Sequence, residues 1–261
     1  MDGIDQAPAQ DAPQEAPTTL DGLLDGRLRL RQPSAGYRAG LDAALLAAAC
    51  QAAEGERVLE AGCGVGAALL AAAARNPDAR FAGVERDLAA LALARENVAL
   101  NDLGDRVEVM AGDVAAGFRA LGLEPFDAAM ANPPFFDDPG ALRGPDAARK
   151  GAYIADDGLA AWCGFLVKAV REGGRITLIH RADRLADILA LLAPKAGSFR
   201  VRGVHPFAEA PAKRVLVRAV KTGKAPLVLL PGLVLHDRSG GKHTAGMEAV
   251  LRGEAGLGWG G

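Results

Sequence analysis

The chain predicts an α/β fold: a seven-stranded, mostly parallel sheet with helices on both faces and an antiparallel hairpin at its C-terminal end. Three observations carry this reading. Short apolar runs alternate with alanine- and leucine-rich segments of helical length. A glycine turn, Gly62-Cys63-Gly64-Val65-Gly66, joins one such run to the helix that follows. The last two runs have no helix-length spacer between them, so they pair antiparallel.

Each element follows from local pattern. Arg57–Ala61 reads as a strand and Gly66–Arg75 as a helix closed by Asn76-Pro77. Arg80–Val84 is a second strand, Leu88–Asn101 a long helix, Val107–Met110 a third strand and Phe126–Ala131 a fourth. Gly158–Arg171 is helical, Arg175–His180 a fifth strand and Asp183–Ala193 another helix. Phe199–His205 and Arg214–Val220 form the closing hairpin. Ahead of the sheet, Arg27–Arg31 alternates basic residues with leucine and suits a short exposed strand, and an alanine-leucine helix ends near Cys50. Behind it, Pro226–Leu235 reads as extended and Thr244–Arg252 as a short helix.

The 261 residues suit one large domain with terminal additions. Residues 1–19 are an expected acidic, disordered tail, 20–55 a capping segment, 56–225 the cofactor-binding domain and 226–261 an extension. Half the chain is hydrophobic, yet no run is long enough to span a bilayer and no signal peptide opens it. Cys50, Cys63 and Cys163 are widely spaced, which fits reduced thiols in a cytoplasmic protein and neither a disulfide frame nor a metal site. The net charge of −2 hides an asymmetry: residues 1–25 hold six acids and no Lys or Arg, so the other 26 acids face 30 basic residues and the body carries +4. That balance is compatible with a nucleic-acid partner and does not demand one. The oligomeric state is not legible.

Chemistry gathers at the ends of the expected strands. Glycines in the turn let the backbone bend sharply and approach a ligand. Gly62, Gly64 and Ala67 also satisfy a loose dinucleotide pattern, so the turn alone does not separate a nicotinamide cofactor from S-adenosylmethionine. Glu85 ends the second strand, where an acid accepts hydrogen bonds from ribose hydroxyls, and Asp113 follows the third, suited to an adenine amine. Glu60, just before the glycines, suits a cationic ammonium better than a phosphate. After the fourth strand comes Asn132-Pro133-Pro134-Phe135-Phe136. Consecutive prolines hold an extended segment whose carbonyls have no competing donors. A carboxamide, a rigid carbonyl and an aromatic face make a receptor for a planar group bearing NH2.

Glu60-Ala-Gly-Cys-Gly-Val-Gly66, Glu85, Asp113 and Asn132-Pro-Pro-Phe135 together resemble class I S-adenosylmethionine-dependent methyltransferases. An antiparallel hairpin at the end of a Rossmann-like sheet is the mark of that fold. Leu28–Ala49, containing Tyr37-Arg-Ala-Gly-Leu-Asp42, and Lys213-Arg-Val-Leu-Val217 resemble the bacterial tRNA1(Val) adenine-N6-methyltransferases more closely. The resemblance implies transfer of a methyl group to an exocyclic adenine amine in RNA, tRNA being favoured. It implies S-adenosyl-L-methionine held by Asp42, Glu60, Gly62, Gly64, Gly66, Glu85 and Asp113. Asn132, Pro133 and Phe135 would act on the amine, with Tyr37, Arg38, Pro134 and Phe136 as substrate contacts. Phe135-Phe136 departs from the two tyrosines expected, which leaves stacking intact and removes hydroxyls. The alternatives are a protein glutamine amide, a guanine amine in rRNA and, in another class, an NAD-dependent oxidoreductase. No metal is expected.

Overall fold

The computed structural model describes residues 17–35, 38–134, 157–238 and 242–260. An antiparallel hairpin of β1 (Thr18–Leu23) and β2 (Leu28–Pro33) leads to helix α1 (Leu41–Ala49). Then follow β3 (Arg57–Ala61), α2 (Ala67–Arg75), β4 (Arg80–Glu85), α3 (Leu88–Leu100), β5 (Val107–Ala111) and β6 (Phe126–Ala131). The second half runs α4 (Asp157–Ala169), β7 (Val170–Arg181), α5 (Leu185–Leu192), β8 (Ala196–His205), β9 (Arg214–Lys221), β10 (Val228–Val234) and α6 (Ala245–Arg252).

The main sheet has the order β10-β8-β9-β7-β6-β3-β4-β5, and only β9 runs against its neighbours. From β3 the chain winds outward through β4 and β5, then returns to β6 on the other side of β3 and winds the opposite way. The order therefore reverses between β3 and β6. In open α/β sheets the crevice beyond the carboxyl ends of the strands at such a reversal is where ligands bind.

Alternation along the central strands supplies two cores. Val58, Ala128, Met130 and Ile179 face the layer of α1 and α2, where Leu45, Leu46, Leu69 and Leu70 are fully buried. Leu59, Ala61, Ala129, Ala131, Ile176 and Leu178 face α4, where Phe165 and Leu166 close the opposite layer. The near-continuous apolar character of β3 and β6 is what a parallel strand covered on both faces requires.

Two expectations are corrected. The sheet has eight strands where the sequence suggested seven, because the extended segment after the hairpin adds β10 as a parallel edge beside β8. Pro231 hid it. A proline is tolerated on an edge strand, and the register shifts between Leu230 and Leu233 to accommodate it. The basic-leucine alternation at Arg27–Arg31 forms a strand, but not an exposed one. Leu28 and Leu30 are buried in the core, and the arginines point outward and pair with the rest of the chain. Its partner β1 starts at Thr18, inside the stretch assigned to the tail.

The hairpin is thus an apolar anchor on α2 and α3. Leu30→Ala should lower stability by about 2–5 kcal/mol, whereas Leu20→Ala, on the outer strand and half exposed, should change it by less than about 0.5 kcal/mol. Urea unfolding of the two variants checks this, and equal losses would show that the hairpin does not belong to the core.

Candidate functional site

The turn after β3 carries the strongest local constraint. Gly62, Gly64 and Gly66 have φ of 65°, 55° and 88°, a region that residues with a side chain rarely adopt. A Cβ on Gly62 would stand 2.2 Å from Cη2 of Trp162 on α4, so the turn is pressed against an indole. A Cβ on Gly64 would meet nothing within 4 Å, so open space lies beside that backbone.

Two carboxylates shape the turn. Glu85, at the end of β4, accepts the Gly64 amide on Oε2 at 2.8 Å and the Arg86 and Asp87 amides on Oε1 at 2.9 and 2.8 Å. An ionised carboxylate offers about four acceptor sites, so one position remains for a further donor. Glu60, two residues before Gly62, lies on the α2 face of β3, almost completely buried. The Leu69 amide in the first turn of α2 donates to it, while its Oε2 has no hydrogen-bond partner among the described residues. Burial, reinforced by the charge of Glu85, pushes its pKa well above the usual carboxylate value.

The remaining expected residues fall around the same end of the sheet. Asp113 follows β5 and caps a short 3-10 turn, accepting the Ala115 amide on Oδ1 at 2.9 Å. Asn132 and Pro133 come directly after β6, beside the turn that ends β3, because Ala131 pairs with Ala61. Asn132 is half-buried, Pro133 buried and Pro134 exposed. Asp42, at the start of α1, receives Arg214 Nε at 2.9 Å. Because β9 runs opposite to β7, Arg214 at its start stands at the same end of the sheet. Arg38 is drawn into the hairpin, donating to Asp21 at 2.7 Å, Thr19 at 2.9 Å and the Pro33 carbonyl at 3.0 Å. Tyr37, Phe135 and Phe136 lie outside the described residues.

Sequence reading missed two contributors. Trp162 gave no signal beyond being a large aromatic on a helix. Asn97 did leave one: it follows Leu91 and Ala94 at helical spacing, a polar residue in an apolar stripe.

Comparison with known proteins agrees with this geometry. Residues 38–143 match the family model described as the methyltransferase small domain. A tRNA1(Val) (adenine(37)-N6)-methyltransferase from Porphyromonas gingivalis is 31% identical over 198 residues, covering 73% of this chain and 77% of that protein. The chain belongs to the S-adenosylmethionine-dependent methyltransferases. A release factor glutamine methyltransferase from Caulobacter vibrioides is 32% identical over 158 residues, 56% of this chain and 52% of that protein. Among solved structures, a predicted O-methyltransferase from Agrobacterium tumefaciens superposes with a TM-score of 0.68 and 26% identity, over 83% of this chain and 98% of the other.

The residues of this methyltransferase fit its cofactor. An uncompensated buried carboxylate is costly, and the ammonium of S-adenosylmethionine is a cation that would compensate Glu60. Acids flanking the turn are poor company for a pyrophosphate, which sets the nicotinamide alternative aside on physical grounds as well. The open side of Gly64 leaves room for a ligand against the backbone. Among the described residues no cluster of His, Cys, Asp and Glu could hold a metal, and no helix is long and apolar enough to cross a membrane.

Glu60 makes the ligand-free stability depend on pH. The native state holds this proton to higher pH than the unfolded chain, so it binds more protons and stability falls as pH rises above the usual carboxylate range. Glu60→Gln removes that penalty. Without ligand the variant should melt close to the wild type near pH 5 and increasingly above it by pH 8. S-adenosylhomocysteine, which carries the same ammonium, should stabilise the wild type more than the variant. A melting difference that does not change with pH would contradict the assignment.

Proposed function

We propose that this methyltransferase transfers a methyl group to the exocyclic N6 amine of an adenine in RNA, tRNA being the favoured RNA, in the cytoplasm. The observation that carries the reading is the Asn132-Pro133-Pro134 segment at the end of β6, across the strand-order reversal from the glycine turn. The tRNA-modifying relative supports the choice of RNA, since the match to it extends over more of both chains than the match to the glutamine methyltransferase.

S-adenosylmethionine supplies an electrophilic methyl group on a sulfonium. Glu60 holds the ammonium of that cofactor, and Asp42, fixed by Arg214, borders its methionine end. Glu85 takes a ribose hydroxyl with its remaining acceptor position, Asp113 receives the adenine amine, and Gly62, Gly64 and Gly66 keep the backbone clear. On the acceptor side, Asn132 Oδ1 and the Pro133 carbonyl accept the two hydrogens of the target NH2. An aromatic amine is a weak nucleophile because its lone pair is delocalised into the ring. Two acceptors draw the nitrogen toward a tetrahedral shape and aim the lone pair at the methyl group. Transfer would leave the sulfonium as a neutral thioether and the methylated nitrogen cationic, and that nitrogen loses its extra proton readily, so positioning and electrostatics carry the catalysis and no strong base is needed. Phe135 would stack on the base, which must first be turned out of any helix, while Tyr37, Pro134 and Phe136 would border the substrate, Arg38 being engaged by the hairpin.

A protein glutamine amide presents the same two hydrogens, and the Caulobacter relative keeps that second reading in play. Incubation with labelled cofactor and separated RNA and protein fractions distinguishes them. Label should enter N6-methyladenosine in tRNA, and label confined to protein would overturn the RNA assignment. Asn132→Ala should abolish transfer, by at least about 100-fold, while S-adenosylhomocysteine affinity measured by calorimetry stays within about two-fold. Retained transfer would remove the carboxamide from the mechanism.

A further inference from the structure

Asn97 is completely buried in the apolar stripe of α3, and its carboxamide is fully used. Oδ1 accepts the Arg31 amide at 2.7 Å, and Nδ2 donates to the Arg31 carbonyl at 2.8 Å. These two bonds close a ring on β2. The second Nδ2 hydrogen goes elsewhere, to the carbonyl of Val65 at 2.9 Å. Val65 lies between Gly64 and Gly66, both left-handed, inside the turn that the Gly66 amide closes on the Cys63 carbonyl at 2.8 Å, and its own carbonyl finds its partner outside the turn, in Asn97. One buried side chain thus ties the N-terminal hairpin to the middle of the cofactor turn.

The helix also contains a natural control one turn on. Asn101 grips β2 in the same manner: Oδ1 accepts the Arg29 amide and Nδ2 donates to the Arg29 carbonyl, both at 2.8 Å. Its other hydrogen bonds the Asn97 carbonyl within the helix at 2.7 Å. Asn101 therefore holds the hairpin without reaching the turn.

We propose that Asn97 is a positioning residue of the cofactor site, and that through it the β1–β2 hairpin is part of that site. Restraining the Val65 carbonyl fixes the Val65–Gly66 peptide plane in the form that receives the ligand. By linkage, a ligand that selects this form also favours the docked hairpin. This goes beyond the substrate reading and rests only on the cofactor, so RNA specificity does not enter its test.

The test compares the full-length wild type with Asn97→Ala and Asn101→Ala. Calorimetry measures affinity for S-adenosylhomocysteine, and amide hydrogen exchange follows residues 18–33 and 62–66. Both variants should melt lower than the wild type. Asn97→Ala should weaken ligand binding by about 10-fold or more, and Asn101→Ala by no more than about two-fold, a separation within the ordinary range of coupling between sites. Ligand should slow exchange in the hairpin of the wild type and of Asn101→Ala, and should fail to do so in Asn97→Ala. Equal changes in affinity for the two variants, or unchanged affinity in Asn97→Ala, would leave Asn97 a merely structural residue and overturn the proposal. If Asn97→Ala does not fold, the wild-type exchange arm still decides: ligand that protects residues 62–66 and leaves 28–33 unaffected overturns it as well.

Discussion

A turn that only glycine can make organises the catalytic end of this protein. Gly62, Gly64 and Gly66 are all left-handed, and the backbone bond that closes the turn from within, from the Gly66 amide to the Cys63 carbonyl at 2.8 Å, is supplemented from outside. The restraint comes from three directions: Trp162 presses on Gly62, Glu85 takes the Gly64 amide, and Asn97 holds the Val65 carbonyl. Those residues belong to α4, β4 and α3, so three separate elements must be in place before the turn has its shape. A site assembled this way is precise because its supports are secondary structure rather than loop.

Charge completes the design. Glu60 and Glu85 flank the turn, and burial together with the charge of Glu85 makes Glu60 harder to ionise. Such a pair is a liability in the empty protein and a receptor for a cation. The Leu69 amide at the start of α2 relieves Glu60 only in part, since one oxygen is left without a partner among the described residues. An ammonium removes the deficit, and a phosphate would deepen it. The same glycine pattern can serve two cofactor classes, and it is the acids around it that select one.

Much of the fold was legible because the central strands are buried on both faces. Arg57–Ala61 and Phe126–Ala131 read as short, mostly apolar runs, and their limits agree with β3 and β6. Legibility failed where an element is held by distant partners. β1 has no apolar alternation of its own and exists because β2 pairs with it, while Pro231 disguised an edge strand that tolerates it. The arginines of the N-terminal segment read only as part of a mildly basic body. In the folded chain Arg27 reaches the Arg252 carbonyl, Arg31 pairs with Glu96, and Arg38 is spent on Asp21. No local pattern distinguishes an arginine that faces a ligand from one that ties two segments together. Glycines, strand-end acids and the Asn-Pro-Pro segment were readable because their chemistry is local, whereas Trp162 and Asn97 act through contacts that only the fold creates.

Asn132, the proposed acceptor, and Gly62–Gly66, the proposed cofactor turn, follow neighbouring strands on either side of the strand-order reversal, so ligand bound at one is expected to be sensed at the other. Amide and side-chain NMR shifts of the full chain titrated with S-adenosylhomocysteine test this most directly. The account predicts that the largest changes cluster at residues 62–66, at Glu85 and Asp113 and on the Asn132 carboxamide. Saturable changes centred elsewhere, with residues 62–66 undisturbed, would contradict it.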